Sequence, residues 1–349
     1  MVQFMDEVGV PHTLTDANIP ASDIEKSLMK SSLTDAVRTV CFLQYPKSVK
    51  MELLLFCVWR SNRRAKAMKV LGDKCHTLIC SDTALRKLLL VDKDGSVTKE
   101  ICDINAVFDL WSLPDGKILY AHNSGSKTAG ITILDSTGSV EMNYIANREI
   151  FSCQPLQNGN ILLGLLGEPQ LREIDCEGNI TNQIDIPYDG ISHEGMRMAR
   201  KIDNAYLVVQ PGLNKIRKLS LNGEIIKEFE IRPDAFGFVV LPNGNIVYTC
   251  MSGAYELDEN GEEIWSLTND DIPQINICWL LGIQLLANGN LVFVNWMGHG
   301  HLDEGVHFFE VNRKKEIVWF LDGRKTLKMP AAFQILDEDP MAVCYTPMK

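Results

Sequence analysis

Apolar residues along most of this chain fall in short blocks, many alternating with polar ones, and Asn-Gly or Asp-Gly pairs punctuate the blocks. Leu241-Pro-Asn-Gly-Asn-Ile-Val-Tyr248, followed by Tyr255-Glu-Leu-Asp-Glu-Asn-Gly-Glu-Glu-Ile-Trp265, shows the unit. Period-two alternation and β-rich blocks predict strands, and the Asn-Gly pairs predict tight turns because both residues tolerate positive φ. The unit therefore reads strand, turn, strand, then strand, turn, strand.

The unit repeats. The first turn recurs at Leu113-Pro-Asp-Gly-Lys-Ile-Leu119, Leu156-Gln-Asn-Gly-Asn-Ile-Leu162 and Leu286-Ala-Asn-Gly-Asn-Leu-Val292, with degenerate copies at Lys201-Ile-Asp-Asn-Ala-Tyr-Leu207 and Ile335-Leu-Asp-Glu-Asp339. The second turn recurs at Val91–Gly95, Leu134–Gly138, Ile174–Gly178, Ser220–Gly223 and Val311–Lys315. Successive first turns, at Asp115, Asn158, Asp203, Asn243, Asn288 and Asp337, lie 40 to 49 residues apart. Four short strands at that period predict an all-β fold, a β-propeller of six blades. The chain enters on a second-turn half (78–100) and leaves on a first-turn half (331–346). A composite blade stitched from both ends thus closes the ring and hides two sheet edges. Seven blades follow instead if residues before Val70 hide another.

Residues 1–66 stand outside the repeat as a helical extension, with the propeller over 67–349. Ser22 caps a helix there, with Glu25 three residues on. The chain's 46% hydrophobic residues suffice for a large core, and its net charge of −11 argues against a nucleic-acid surface. The ten cysteines show no metal spacing, and Cys153, Cys250 and Cys278 fall in predicted strands as small core residues, so they read as reduced thiols. Met1 to Glu7 has no signal-peptide pattern, and Leu53–Trp59 is too short to span a bilayer, so the chain as written reads as cytoplasmic.

Candidate chemistry sits where the repeat breaks. Counting back six residues from each first turn gives Asp109, Ser152, Arg197, Gly237, Gly282 and Ala331, equivalent positions expected to ring an axial channel. Ile191–Arg200 adds His193 beside Arg197, a pair suited to an anionic or hydroxyl-rich ligand. Val294–His307 is the longest insertion, carrying Asn295, Trp296, His299, His301, Asp303, Glu304 and His307. Two chemistries compete with a plain polar loop. His299, His301 and His307 are weak candidates for a divalent metal such as zinc. Alternatively, Trp296 stacks on a sugar while Asn295 and His299 supply hydrogen bonds.

Two resemblances follow from these residues. Phe4–Thr15, Asp23-Ile-Glu25 and Arg38-Thr-Val40 resemble the C-terminal tail of iron-dependent alcohol and glycerol-1-phosphate dehydrogenases, over residues 1–45. The stretch carries no nucleotide or metal motif, so no dehydrogenase activity is implied. The L-x-N-G-N repeats, Asn295-Trp296-Met-Gly298-His299, His307–Glu310 and Ile317-Val-Trp319 resemble uncharacterised bacterial six-bladed propellers of the PQQ-like, NHL-like and arylsulfotransferase-like group, over about 70–346. Members of that group are often exported and sit beside carbohydrate-processing genes, which implies a glycan ligand. The tryptophan-docking pattern of quinoproteins is not matched, so no quinone cofactor is implied. The leading expectation is a propeller holding a small polar ligand, a carbohydrate foremost, in its central funnel through His193, Arg197, Asn295, Trp296, His299 and Asp109. The rivals are an arylsulfotransferase-like or metal-dependent lactonase-like enzyme and, should side chains plug the funnel, a protein-interaction scaffold.

Overall fold

Each repeat folds into a four-stranded antiparallel sheet whose innermost strand faces a common axis. The computed structural model describes residues 68–72, 75–123, 128–167, 169–188, 190 and 192–337, so the expected N-terminal helix lies outside the described residues. The first strands are β1 (Lys69–Gly72), β2 (Leu78–Asp82), β3 (Lys87–Val91) and β4 (Val97–Ile101). Then come β5 (Ala106–Ser112), β6 (Ile118–Asn123), β7 (Gly130–Leu134) and β8 (Val140–Ile145). The third set is β9 (Ile150–Pro155), β10 (Ile161–Leu165), β11 (Gln170–Ile174) and β12 (Ile180–Asp185). The fourth is β13 (Ala199–Ile202), β14 (Ala205–Gln210), β15 (Lys215–Ser220) and β16 (Ile225–Glu230). The fifth is β17 (Phe238–Val240), β18 (Ile246–Cys250), β19 (Gly253–Leu257) and β20 (Glu263–Leu267). Last come β21 (Leu280–Leu285), β22 (Leu291–Asn295), β23 (Phe308–Val311), β24 (Ile317–Asp322) and β25 (Pro330–Ile335).

Six sheets result, and the blade count is six. Blade 1 is the composite, ordered β25-β2-β3-β4, so its inner strand comes from the C-terminal side and its other three from the N-terminal side. Leu78 pairs with Ile335 and Cys80 with Phe333 across that seam. Blades 2 to 5 are consecutive, and blade 6 (β21–β24) gains β1 as a fifth strand. The pairing of β1 with β24, Lys69 opposite Asp322 through Gly72 opposite Trp319, covers an edge that would otherwise be open.

The Asn-Gly turns differ from expectation in one detail. At 156–160, 241–245 and 286–290 only the glycine has positive φ, at 85°, 90° and 84° for Gly159, Gly244 and Gly289. The asparagine instead accepts a hydrogen bond, as when Asn243 Oδ1 receives the N–H of Asn245 at 3.1 Å. Gly244 N–H donates to Leu241 O and Leu241 N–H to Asn245 O, a turn closed by a left-handed glycine at a bulge. A Cβ at any of the three glycines would meet nothing within 4 Å, so backbone conformation and not space requires glycine there.

The core is a set of seams between blades. Trp111, Leu119, Ala121 and Ile131 of blade 2 pack on Ile150, Cys153, Ile161 and Leu163 of blade 3. Leu207, Val209 and Ile216 of blade 4 pack on Phe238, Ile246 and Tyr248 of blade 5, and the same arrangement continues around the ring. Polar staples add direction to each seam. Gln154, Gln284 and Gln334, each near the end of an inner strand, accept through Oε1 from the backbone N–H of Lys201, Ile335 and Ser112 on the next blade, at 2.7, 2.8 and 2.5 Å. Further out, Glu173, Glu256 and Glu310 occupy equivalent buried places on β11, β19 and β23. Each meets a basic residue of the next blade: Lys201 at 2.7 Å, Arg313, and His76 at 2.8 Å.

Candidate functional site

Inner strands all start on one face of the ring, and both sequence irregularities open onto that face. Of the six positions expected on the axis, Arg197 and Ala331 lie there and the other four do not. Strand pairing sets Asp109 opposite Ala121, Ser152 opposite Gly164, and Ala199 opposite Val208, which puts Met198 opposite Val209. The hairpin at Asp203-Asn204 is shorter than its siblings, so a fixed count of six slips by one in blade 4. Met198, not Arg197, is the equivalent of Asp109 and Ser152.

That equivalent position points at the neighbouring blade. Asp109 Oδ2, Ser152 Oγ and Met198 Sδ accept the backbone N–H groups of Cys153, Ala199 and Phe238, at 2.9, 3.2 and 3.4 Å. Asp109 also holds Arg200 in a two-armed ion pair at 2.8 and 3.1 Å. Burial lifts its carboxyl above the usual carboxylate range even though Arg200 pulls the other way. Asp109 is thus a buried strut between blades 2, 3 and 4.

The residue before it faces the axis: Phe108, Phe151, Arg197, Phe236, Leu281 and Ala331 in blades 2 to 6 and 1. Phe108 and Phe236 come from opposite blades, yet their ring centroids lie 5.9 Å apart, and Phe151 sits 4.7 Å from Phe108 and 6.0 Å from Phe236. The three rings close the axis at this level, where an open funnel was expected.

Arg197 stands in this ring as the one charged member. It is 9% exposed, and its guanidinium lies 4.8 Å from the Phe151 ring centroid and 5.8 Å from that of Phe236. No side-chain hydrogen bond or ion pair engages it among the described residues. Burial lowers its pKa, opposed by the surrounding charges of Glu194, Glu149 and Asp234. His193 packs edge-on against Phe151 at 5.6 Å and reaches Glu149 Oε2 through Nδ1 at 3.8 Å. Burial, then the nearby Arg197 charge, push its pKa down, which favours neutral imidazole.

The long insertion between β22 and β23 builds a second aromatic group. Trp296 meets Trp279 at 5.7 Å and His299 at 5.1 Å, both edge-on, and Trp279 lies 6.0 Å from His299. The two groups are joined by the 234–236 segment: Trp279 Nε1 donates to Asp234 O at 3.1 Å, and Phe236 follows two residues on. Asn295 is fully buried. Its Oδ1 accepts from Cys278 N–H at 2.8 Å and Trp279 N–H at 3.2 Å, and its Nδ2 donates to Asn276 O and Val306 O, each at 3.0 Å. Its amide is therefore occupied in shaping the loop.

The three histidines of the insertion do not converge. His307 is fully buried, with its Nδ1 accepting from Gly323 N–H at 3.2 Å and its Nε2 without a partner. His301 Nδ1 instead sits 2.8 Å from Glu304 Oε2. Among the described residues the convergent ligand set is Cys278, His301 and Glu304. Cys278 lies in the half-buried segment before β21 and not inside a strand as expected, whereas Cys153 and Cys250 are buried in β9 and β18. Phe108, Phe151, Phe236 and Trp279 escaped the sequence reading. The signal for the three phenylalanines was a bulky apolar residue just before the counted position, in Phe108-Asp109, Phe151-Ser152 and Phe236-Gly237, whereas Trp279 lies outside that pattern.

Fold and site together define a six-bladed β-propeller whose axis is sealed by aromatic rings on the face that carries its irregular loops. No protein-family model matches the chain, and no curated protein does. Among solved structures, a protein of unknown function from Bacteroides caccae is similar, at 20% identity and a TM-score of 0.66, over 74% of this chain and 98% of that one. A streptogramin B lyase is similar at 16% identity and a TM-score of 0.51, over 72% of this chain and 82% of that one. The virginiamycin B lyase of Staphylococcus aureus is similar at 16% identity and a TM-score of 0.50, over 72% and 87%. These likenesses are of fold. Among the described residues no helix is long and apolar enough to cross a membrane.

Proposed function

We propose that this propeller is a binding protein for a small anionic or hydroxyl-rich ligand, a glycan fragment foremost, held on the irregular face above the sealed axis. The observation that carries the reading is Arg197. Arg197 is 9% exposed as a residue, and its guanidinium is flanked by Phe151 and Phe236 with no carboxylate or carbonyl partner among the described residues. Its partly wetted nitrogens therefore make fewer hydrogen bonds than they would in water. A carboxylate, sulfate or sugar hydroxyl placed over it restores those bonds in a charge-assisted form. His193 supplies a neutral donor or acceptor beside it. Trp296, Trp279 and His299 offer flat faces of the kind a sugar ring packs on. Asp109 and Asn295 act as positioning residues, one for Arg200 and the seam, the other for the Trp279 and Trp296 backbone. The closed axis makes the site shallow, and rings plugging the funnel favour a protein-interaction face, met through an acidic segment of the partner, as the second reading.

The test is an array of neutral, uronic, sialylated, sulfated and phosphorylated glycans, followed by calorimetry of the best hit. Arg197→Met, and separately Trp296→Ala with His193→Ala, are expected to weaken that hit by at least tenfold, while the melting temperature stays within a few degrees. A large drop in melting temperature from either change, or undiminished binding, overturns the reading. Turnover of an aryl sulfate or a lactone lost in His193→Ala would replace binding with catalysis.

A further inference from the structure

Cys278, His301 and Glu304 present one ligand atom each, and the three atoms lie within 4.8 Å of one another. They come from two separate segments, the approach to β21 and the β22–β23 insertion. Those segments are tied together independently of the three residues. Asn295 bonds the Cys278 and Trp279 N–H groups on one side and the Asn276 and Val306 carbonyls on both. Asn276 Nδ2 donates to Glu304 O at 2.9 Å, and Val306 N–H to Ile275 O at 2.9 Å. The backbone carrying the thiol and the carboxylate is thus fixed before any ligand arrives, which lowers the ordering cost of binding.

We propose that Cys278, His301 and Glu304 form a divalent metal site, for zinc foremost. A thiolate, an imidazole and a carboxylate suit a borderline-soft ion, and hard cations such as magnesium or calcium prefer oxygen alone. A tetrahedral zinc ion needs its ligands roughly 3.5 Å apart. The His301 Nδ1–Glu304 Oε2 contact at 2.8 Å is a hydrogen bond that the ion would replace. All three ligand atoms lie within 4.8 Å of one another, so closure is a matter of about an ångström of side-chain rotation in half-exposed groups. Binding exchanges the thiol proton for the metal. Three protein ligands leave a fourth position open, the arrangement of zinc sites that hold water or an exchangeable ligand. The site lies on the same insertion as Trp296 and His299 but uses neither Arg197 nor His193, so it stands or falls apart from the glycan reading.

The experiment uses the full chain without a histidine tag, stripped by chelation and titrated with zinc against a chromophoric chelator. The expected result is one zinc per chain with sub-micromolar affinity. Cobalt substitution is expected to give a thiolate-to-metal charge-transfer band in the near ultraviolet. Cys278→Ser should abolish that band, and Cys278→Ser, His301→Ala and Glu304→Gln should each weaken zinc by more than about tenfold, since even residues behind the ligands carry that much. The melting temperature of the metal-free variants should match that of the metal-free parent. Binding that survives Cys278→Ser with His301→Ala, or that follows His299→Ala instead, overturns the site, as does the absence of stoichiometric binding at micromolar zinc.

Discussion

His307 shows what a single buried ring does to the whole protein's pH response. Burial holds its pKa down, from an ordinary 6.5 to about 4, although the charges of Asp322, Asp82 and Asp303 pull upward. Its Nδ1 accepts the Gly323 N–H, so protonation there would break a hydrogen bond as well as bury a charge. The folded state therefore disfavours the imidazolium while the unfolded state accepts it near pH 6.5. Stability attributable to this residue is present above pH 6.5 and is lost as pH falls toward 4, to the extent of about 3 kcal/mol. Denaturant unfolding at pH 7.5 and pH 4.5 is expected to show that loss in the parent, and a slope shallower by that amount in His307→Gln. Equal pH dependence in both would assign the acid response to other groups. Arg197 is buried as well, at 9% exposure, and under the proposed function its charge meets the ligand, so its replacement by Met is expected to leave stability nearly unchanged.

At the level of strands, the seams depend on a few side chains that hydrogen-bond the next blade's backbone. Gln154 receives the Lys201 N–H and donates to the Lys201 O at 3.1 Å, bridging blades 3 and 4 with one amide. Gln154→Leu keeps the volume but strands both backbone groups, at an expected loss of about 2 kcal/mol in chemical denaturation. Gln154→Glu keeps the acceptor and is expected to lose less. A leucine variant as stable as the parent would mean that apolar packing alone sets this seam. The Glu173, Glu256 and Glu310 belt repeats the logic further out, with a different basic partner on each seam. Such pairs are more telling about register than about stability, since burying both charges offsets much of their attraction.

Across the whole ring, closure rests on two pairings that bring the chain's two sides together: β25 with β2 in blade 1, and β1 with β24 in blade 6. Removing residues 330–349 takes away the inner strand of blade 1 and exposes the edge of β2, where Leu78 and Cys80 are fully buried. The truncated chain is expected to lose its cooperative melt and to associate through that edge, read by circular dichroism and size-exclusion chromatography. Cooperative melting within a few degrees of the parent would show that five blades and a remnant suffice.

What the sequence by itself determined was the local grammar. Turn glycines, alternating strands and a period near forty-five residues are short-range properties, and they sufficed for six blades and a composite closure. Even there, Asn243 was legible as a turn residue but not as the side-chain acceptor it is, because that depends on which of two neighbours takes positive φ. The site was legible only in part. His193, Arg197, Trp296 and His299 stood out as breaks in the repeat, but where each side chain points was decided by pairing across the sheet. A hairpin shortened at Asp203 left Arg197 on the axis while Asp109, counted as its equivalent, turned into the seam toward Arg200, ninety-one residues away. Phe108 and Phe236 meet only because six blades bring opposite inner strands within reach. Cys278 found His301 and Glu304 only once Asn295 had joined their segments. Contacts of that kind depend on distance in space between residues far apart in the chain, and only the tertiary structure supplies it.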